Sequence, residues 1–527
     1  MTHTPVLISG AGPVGLCAAV ELGLRGIGCV VVEPRAEPTR LRPRAKTLNT
    51  RTMEHFRRWG LADRLRARAP LPTSWSRDIA FRTTLLGREL TRFSGVLGLG
   101  DEGVSPELGQ QMPQYVLEDL LRDVVSELPA CELRLGSRVV SVADGQDHVT
   151  VGVRTGDVVE HVTASYVIGA DGARSAVREA IGASYVGTWA SRPNVGVTFR
   201  CEQLLGRAAP AVQSWLLNDR VPGMTGPVDL DGTWWLIAFG VDGTAPDLDP
   251  VALVHGALGE PLPVEIVSTD PWTARMELAD RVRAGRVFLA GDAAHLNPPF
   301  GGHGLNTGIG DAVDLGWKLA AVLDGWGGPG LLDSYEAERR VVHERVVEEA
   351  TANMGTLASH LVRDELENAG PVGDTARAAV VREVHATKRR EFYSLDLVLG
   401  HGYEGSSVIA PEQVPGAADD WATRVRAGRR LPHAWLEPGV STLDRIGTGY
   451  TVFTVDGAPV TELAEAAERA GVPLSVVRCD DPALAASLGA DVVVVRPDQV
   501  VAWQGTGQPH DPAGLLDTLT GRGAVKA

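Results

Sequence analysis

Short apolar runs that stop at glycine, each followed by residues repeating at helical spacing, recur along the chain. TPVLIS (4–9) is such a run, LCAAVELGLRG (16–26) is helical in pattern, and VVVE closes the unit at Glu33. YVIGA (166–170) and RVFLAG (286–291) are β-branched and apolar throughout, the pattern of buried parallel strands. RTMEHFRRWGLADRLRAR (51–68) and QMPQYVLEDLLRDVVSEL (111–128) predict helices. The second has Pro113 at its start, with Leu117, Leu120, Leu121 and Val124 on one face.

Other segments alternate. DIAFRTT (78–84) and RELTRF (88–93) read as short extended runs, and 131–145 with 148–172 predict a hairpin layer. FRCEQLLG (199–206), QSWLLND (213–219) and GTWWLIAFGVDG (232–243) predict strands of a further layer, in which alternation sets Trp234 and Trp235 on opposite faces. From residue 331 to 389 the pattern is one of long helices, followed by a polar, Pro-containing linker. The remainder reads strand, helix, strand, short helix, strand pair, helix.

The loops between these elements carry the candidate chemistry. Gly10-Ala11-Gly12-Pro13-Val14-Gly15 joins the first strand to its helix, and Glu33 ends the next strand. Such a unit suits a dinucleotide: glycines for the tight turn, the approach of a pyrophosphate and close helix contact, and a carboxylate for ribose hydroxyls. Asp171 and Asp292 also follow apolar runs, so three acidic residues are expected at the carboxyl ends of strands, where open α/β sheets bind ligands. Packing alone accounts for one Gly-rich loop, and capping a helix accounts for one aspartate such as Asp171. After Asp292 come the stiff Pro298-Pro299 pair and Gly301, Gly302 and Gly304, which admit a flat ligand. A helix is expected to begin at Leu305, Asn306 and Thr307, its free N–H groups favouring negative charge.

Composition narrows the picture. With 527 residues, 44% hydrophobic and 22% charged, the chain reads as a soluble globular protein of several domains. A net charge of -16 argues against a nucleic-acid surface, which needs clustered cations. The one basic run, with Arg40, Arg42, Arg44 and Lys46, follows the dinucleotide unit and reads mostly as a solvated loop, Arg44 excepted. Cys17, Cys29, Cys131, Cys201 and Cys479 form no CxxC, zinc or disulfide pattern, so no metal site and a reducing cytoplasmic setting are expected. No apolar stretch of membrane-spanning length occurs, and the first strand begins too early for a leader.

GAGPVG with Glu33, GADGARS (169–175), and GDAAH (291–295) with PPFGGHGLNTG (298–308) together resemble the three ordered signatures of class A flavin monooxygenases, the para-hydroxybenzoate hydroxylase and phenol hydroxylase family. The resemblance extends to bacterial phenol hydroxylases and to tailoring hydroxylases of aromatic antibiotics. It implies FAD as cofactor, NADPH or NADH as cosubstrate, and hydroxylation of a phenolic or polycyclic aromatic by O2 through a flavin C4a-hydroperoxide. It also implies an α/β fold: a Rossmann-like FAD-binding domain of the glutathione reductase type (1–75, 105–180 and 276–400), a β-sheet substrate domain (76–104 and 181–275), a linker (401–420), and a thioredoxin-like domain without CxxC (421–527) that serves structure or a homodimer contact.

By the same resemblance Gly10, Gly12, Pro13 and Gly15 face the FAD pyrophosphate, Glu33 the adenosine ribose and Asp292 the ribityl chain. Arg44 and Gln114 match positions that contact FAD, and Asp171 and Arg174 match a motif serving both FAD and NAD(P)H. Gly304, Leu305 and Asn306 fall at the pyrimidine side of the isoalloxazine. Pro299 and His303 are the candidates nearest the chemistry; His303, where many relatives have Phe or Gln, is expected either to bond a substrate oxygen or to fill space. Trp215, Trp235 and Phe239 are candidate substrate contacts, with core packing the competing reading for each.

The same scaffold also serves epoxidation, Baeyer–Villiger insertion or the steering of a reactive intermediate, and a dehydrogenase or a degenerate flavin-binding protein are alternatives from other classes. Intact GDAAH and GLNTG stretches argue against degeneracy. A halogenase needs a lysine near the flavin, and of Lys46, Lys318, Lys388 and Lys526 none is expected to be so placed.

Overall fold

The computed structural model describes residues 2–41, 46–356, 360–403, 405–411, 422–479, 485 and 488–523. Its first sheet runs Arg283–Ala284, Val287–Leu289, Val158–Gly169, Thr2–Ser9, Cys29–Glu33, Cys131–Leu135, with Ser137–Asp144 and Val149–Thr155 attached as an antiparallel layer. Val6, Leu7, Ile8, Val31 and Val32 are buried on both faces, as a parallel sheet covered on each side requires. Helices Pro13–Gly23, Gln114–Glu127 and His303–Leu323 contribute to that core.

Register fixes where the site lies. Ser9 pairs with Gly169 on one side and Val32 on the other, and Gly169 pairs with Leu289. The turns that follow these strands, at Gly10, Ala170, Ala290 and Glu33, therefore emerge together at one edge. Gly10 takes a φ of 105° with its Cα against Ala170, where an added Cβ would lie 2.4 Å from the Ala170 carbonyl oxygen.

The second sheet runs His295–Leu296, Glu265–Ala279, Tyr185–Arg200, Thr233–Phe239, Gly223–Pro227, Gln213–Leu216, Asp78–Arg82, Glu89–Ser94. Two of these strands lack a sequence signal: Gly223–Pro227 is rich in turn residues, and Glu265–Ala279 carries Pro271 and mixed polarity. FRCEQLLG is corrected: the strand ends at Arg200 and Glu202–Leu204 is a 3-10 turn. The helix after the glycine loop starts at His303, two residues before the expected position, because Gly302 at φ 69° provides the break.

At the C-terminus a four-stranded sheet, ordered Leu474–Cys479, Tyr450–Val455, Val492–Val495, Val501–Gly505, is flanked by Thr461–Ala470 and Pro512–Leu519. Trp317, Trp326 and Leu331 of the first domain share a core with Tyr450, Val452 and Trp503, while Arg496 reaches Glu338 at 2.7 Å and Asp314 at 3.0 Å. Residues 401–403 and 405–411 belong to this junction, with Tyr403 and Val408 buried, so they are not the solvated linker that their Gly and Ser content suggests. Residues 412–421, and most of the expected short helix, lie outside the described residues. No helix among the described residues is long and apolar enough to cross a membrane.

Candidate active site

A cavity of about 970 Å3 opens where the three strand-end turns meet and continues beneath the second sheet. Gly10, Gly12, Pro13, Glu33, Asp171 and Asp292 line the part at the sheet edge. Pro299, Gly304 and Leu305 form one wall, and Trp235, Met224, Trp272 and Phe300 lie around the part under the second sheet.

The glycines divide their work. An added Cβ on Gly12 would meet nothing within 4 Å, so the backbone there is open to a ligand, whereas on Gly15 it would lie 2.0 Å from the Gly10 carbonyl oxygen. Gly15 therefore serves helix–strand contact and does not line the cavity, contrary to the expected pyrophosphate role. The Pro13–Gly23 helix has no side-chain cap at Gly12, and neither has the His303–Leu323 helix at Gly302. Two uncapped helix ends thus meet the cavity wall, each favouring an anionic group.

The carboxylates are partly engaged. Glu33 Oε2 accepts from the Ala11 amide at 2.9 Å and Oε1 from the Arg35 amide at 3.0 Å, yet a carboxylate retains acceptor capacity beyond these. Asp171 Oδ2 caps the helix that follows, accepting from Ala176 N at 3.0 Å, while its buried Oδ1 has no partner. Burial raises the Asp171 pKa, hydrogen bonds from Ser175 and the helix amides opposing it. Tyr185 donates its hydroxyl to the Asp292 carbonyl. Gln114 donates to Glu118 at 2.7 Å, Arg174 is exposed at the mouth, and Arg44 lies outside the described residues.

Three of these features fit a flavin dinucleotide: an open backbone at Gly12, an uncapped helix end behind it, and the orphaned acceptor of Asp171 on the cavity wall, which a ligand donor would satisfy.

Other sequence candidates belong elsewhere. Trp215 stacks on Phe81 at 5.7 Å and, with Phe239, packs in the core behind the cavity, because its strand turns that face toward the Pro371–Phe392 helix. Trp234 is likewise core, and Trp235 alone of the pair lines the cavity. Asn306 uses its side chain internally, accepting from Asn49 N at 2.9 Å and donating to Gly302 O at 2.6 Å. His303 begins the helix with its ring turned away, into a second, small cavity against the C-terminal domain beside His55, Arg51, Arg339 and His401. Burial holds its pKa down at about 4, and its Nε2 has no hydrogen-bond partner.

Three buried residues, His295, Asp311 and His343, offer ligand atoms within 4.8 Å of one another. Asp311 is already taken up by Arg339 Nε at 2.7 Å, so the cluster is an ion network carrying its own cation.

Two further residues of the cavity wall lie outside the signature motifs. Glu391, on the last turn of the Pro371–Phe392 helix, accepts from Lys388 at 2.7 Å and from the Gly301 amide. Lys46 lines the cavity with its amino group 4.9 Å from the Trp235 ring centre.

Residues 3–350 match the family described as FAD binding domain, and 413–522 match the aromatic-ring hydroxylase C-terminal region. A 4-methyl-5-nitrocatechol 5-monooxygenase from Burkholderia sp. is 35% identical, the alignment covering 98% of this chain and 97% of that one. Tetracenomycin B2 monooxygenase-dioxygenase from Streptomyces olivaceus is 34% identical, with 98% of each covered. The structure of the rebeccamycin biosynthetic enzyme RebC with reduced flavin matches with a TM-score of 0.90 and 37% identity over 99% of this chain and 100% of that one. Their shared architecture, carried over essentially the whole chain, places it among them: it belongs to the FAD-binding aromatic-ring hydroxylases and is a flavin-dependent monooxygenase.

Proposed function

We propose that this monooxygenase hydroxylates a phenolic or polycyclic aromatic held beneath the second sheet, in aromatic degradation or in the tailoring of a secondary metabolite. The observation that carries the reading is the continuity of the cavity, which joins the dinucleotide turns to a compartment walled by Trp235, Trp272, Met224 and Phe300. Relatives named for nitrocatechol and tetracenomycin oxidation support both substrate classes.

In this reading Gly10, Gly12, Pro13 and the uncapped helix end hold the FAD pyrophosphate, Glu33 the ribose and Asp292 the ribityl chain. Gln114, Asp171, Arg174 and Arg44 complete the dinucleotide contacts. When bound, the flavin takes reducing equivalents from NADPH or NADH and activates O2. The protein's share is to bind, orient and keep water out. Gly304 and Leu305 line the cavity beside the uncapped helix end at Gly302, and there would hold the pyrimidine side of the flavin and favour negative charge on it. Pro298 and Pro299 stiffen the wall, and the aromatic residues set the plane of the substrate.

The test is oxidation of NADPH and NADH by the purified protein across phenols and polycyclic aromatics, with oxygen uptake and product mass. An aromatic that accelerates oxidation and gains one oxygen atom supports the reading. Flavin reduction by a substrate with no oxygen incorporated would replace it with a dehydrogenase.

A further inference from the structure

We propose that Lys46 determines substrate specificity by receiving an anionic oxygen of the aromatic substrate, a carboxylate or an ionised phenol, at the wall of the compartment beneath the second sheet. The inference rests on the monooxygenase reading of that compartment and concerns the charge its substrate carries.

Lys46 Nζ donates to the carbonyl oxygens of Val212 at 2.8 Å and Pro227 at 3.1 Å, and lies over Trp235. An ammonium has three donors, and these contacts use two. Carbonyl dipoles and an aromatic face stabilise a positive charge without neutralising it. No carboxylate among the described residues pairs with it, although cations removed from water ordinarily require one.

Among the described residues, the two fully buried lysines obey that rule. Lys318 meets Asp314 at 2.9 Å and Glu338 at 2.7 Å, and Lys388 meets Glu391 at 2.7 Å. The remaining cations around the cavity are also accounted for: Arg35 pairs with Glu33, Arg275 pairs with Glu277, and Arg138 and Arg174 are exposed. Among the described cations that line the cavity, half-buried Lys46 is thus neither paired with a carboxylate nor exposed, and in this reading it stands where the substrate lies. Burial pushes its pKa down to about 7, the cost that an incoming anion relieves. A neutral acceptor fills the third donor but leaves the charge uncompensated.

The full-length protein loaded with FAD provides the test, by equilibrium titration of the oxidised flavin spectrum. The probes, all used below pH 7 where Lys46 keeps its proton, are 2-naphthoate, its neutral isostere 2-naphthamide, and the acidic phenol 2,4-dinitrophenol with its neutral methyl ether. The wild type is expected to bind 2-naphthoate about tenfold tighter than the amide, a preference that Lys46→Met abolishes by weakening the carboxylate far more than the amide, and that Lys46→Arg preserves. If the preference appears only for 2,4-dinitrophenolate over its methyl ether, and is lost in Lys46→Met, the anionic oxygen is a phenolate. Equal binding of anions and the amide by the wild type overturns the proposal without any variant, as does a preference untouched in Lys46→Met. Because no turnover is read, failure here leaves the oxygenation assay standing, and failure of that assay leaves this binding result interpretable.

Discussion

Asp311 accepts a hydrogen bond from the Gly291 amide at 3.0 Å, tying the helix after the glycine loop to the turn that presents Asp292. The same carboxylate takes bonds from His295 at 3.0 Å, Arg339 at 2.7 Å and His343 at 2.8 Å. Burial alone would raise its pKa, but His343 and Arg339 more than reverse that and hold it well below the usual carboxylate range. One fully buried charge thus organises both the cofactor turn and the junction of two long helices.

Replacing Asp311 by Ala leaves Arg339 buried without its partner, a change that costs about 3–5 kcal/mol. Denaturant unfolding of the variant measures the loss, and the flavin-to-protein absorbance ratio is expected to fall with it. Wild-type stability and full flavin content in Asp311→Ala would remove Asp311 from this role.

The three signature turns were legible because each is local: a strand, a glycine turn and a helix adjacent in sequence, brought to one edge by parallel pairing of Ser9, Gly169 and Leu289. Trp235 was half legible. Alternation separated it from Trp234, but which face meets the cavity depends on the Pro371–Phe392 helix, which packs against Trp215 and Phe239 from far along the chain. Lys46 and Glu391 were not legible, since their partners are the Val212 carbonyl and the Gly301 amide, set by tertiary packing. His303 was misplaced for the same reason. Its position in the loop motif is next to the cavity, while its ring direction follows from the left-handed turn at Gly301 and Gly302.

The histidines predict acid sensitivity. Burial pushes His303 and His343 down to about 4 and His401 to about 3, from an ordinary 6.5. The unfolded chain takes up these protons below about 6.5 and the folded one does not until near 4, so stability is full above that range and declines as pH falls through it. Each buried histidine contributes on the order of 3 kcal/mol by the bottom of the window. Urea unfolding at successive pH values should show a shallower decline in His303→Phe than in the wild type, with the KM for the aromatic unchanged. An equally steep decline, or an altered KM, would return His303 to the substrate side.

The adjacent tryptophans should separate stability from binding. Trp234 is buried in the core on the opposite face of the second sheet, so Trp234→Ala is expected to cost about 3–5 kcal/mol. Trp235 lines the cavity, and Trp235→Phe should raise the KM for aromatic substrate severalfold with a small change in unfolding free energy. Matching stability losses and unchanged kinetics in both variants would place both rings in the core.

Glu391 joins the C-terminal end of a long helix to the glycine loop that walls the cavity, through the Gly301 amide, and neutralises Lys388 at 2.7 Å. Burial raises the Glu391 carboxyl and lowers the Lys388 amine, so the pair keeps its charges only by staying together. Glu391→Gln retains an acceptor for Gly301 but removes the counter-charge from Lys388, whose amino group lies 4.1 Å from the Trp215 ring centre. The wall formed by Phe300 and Phe392 should then loosen and admit water, and water in such a compartment diverts reducing equivalents from product. The expected outcome is uncoupling: NADPH or NADH oxidation at a near wild-type rate, with severalfold less oxygenated product and correspondingly more hydrogen peroxide. Full coupling in Glu391→Gln would show that the glycine loop holds its shape without this carboxylate.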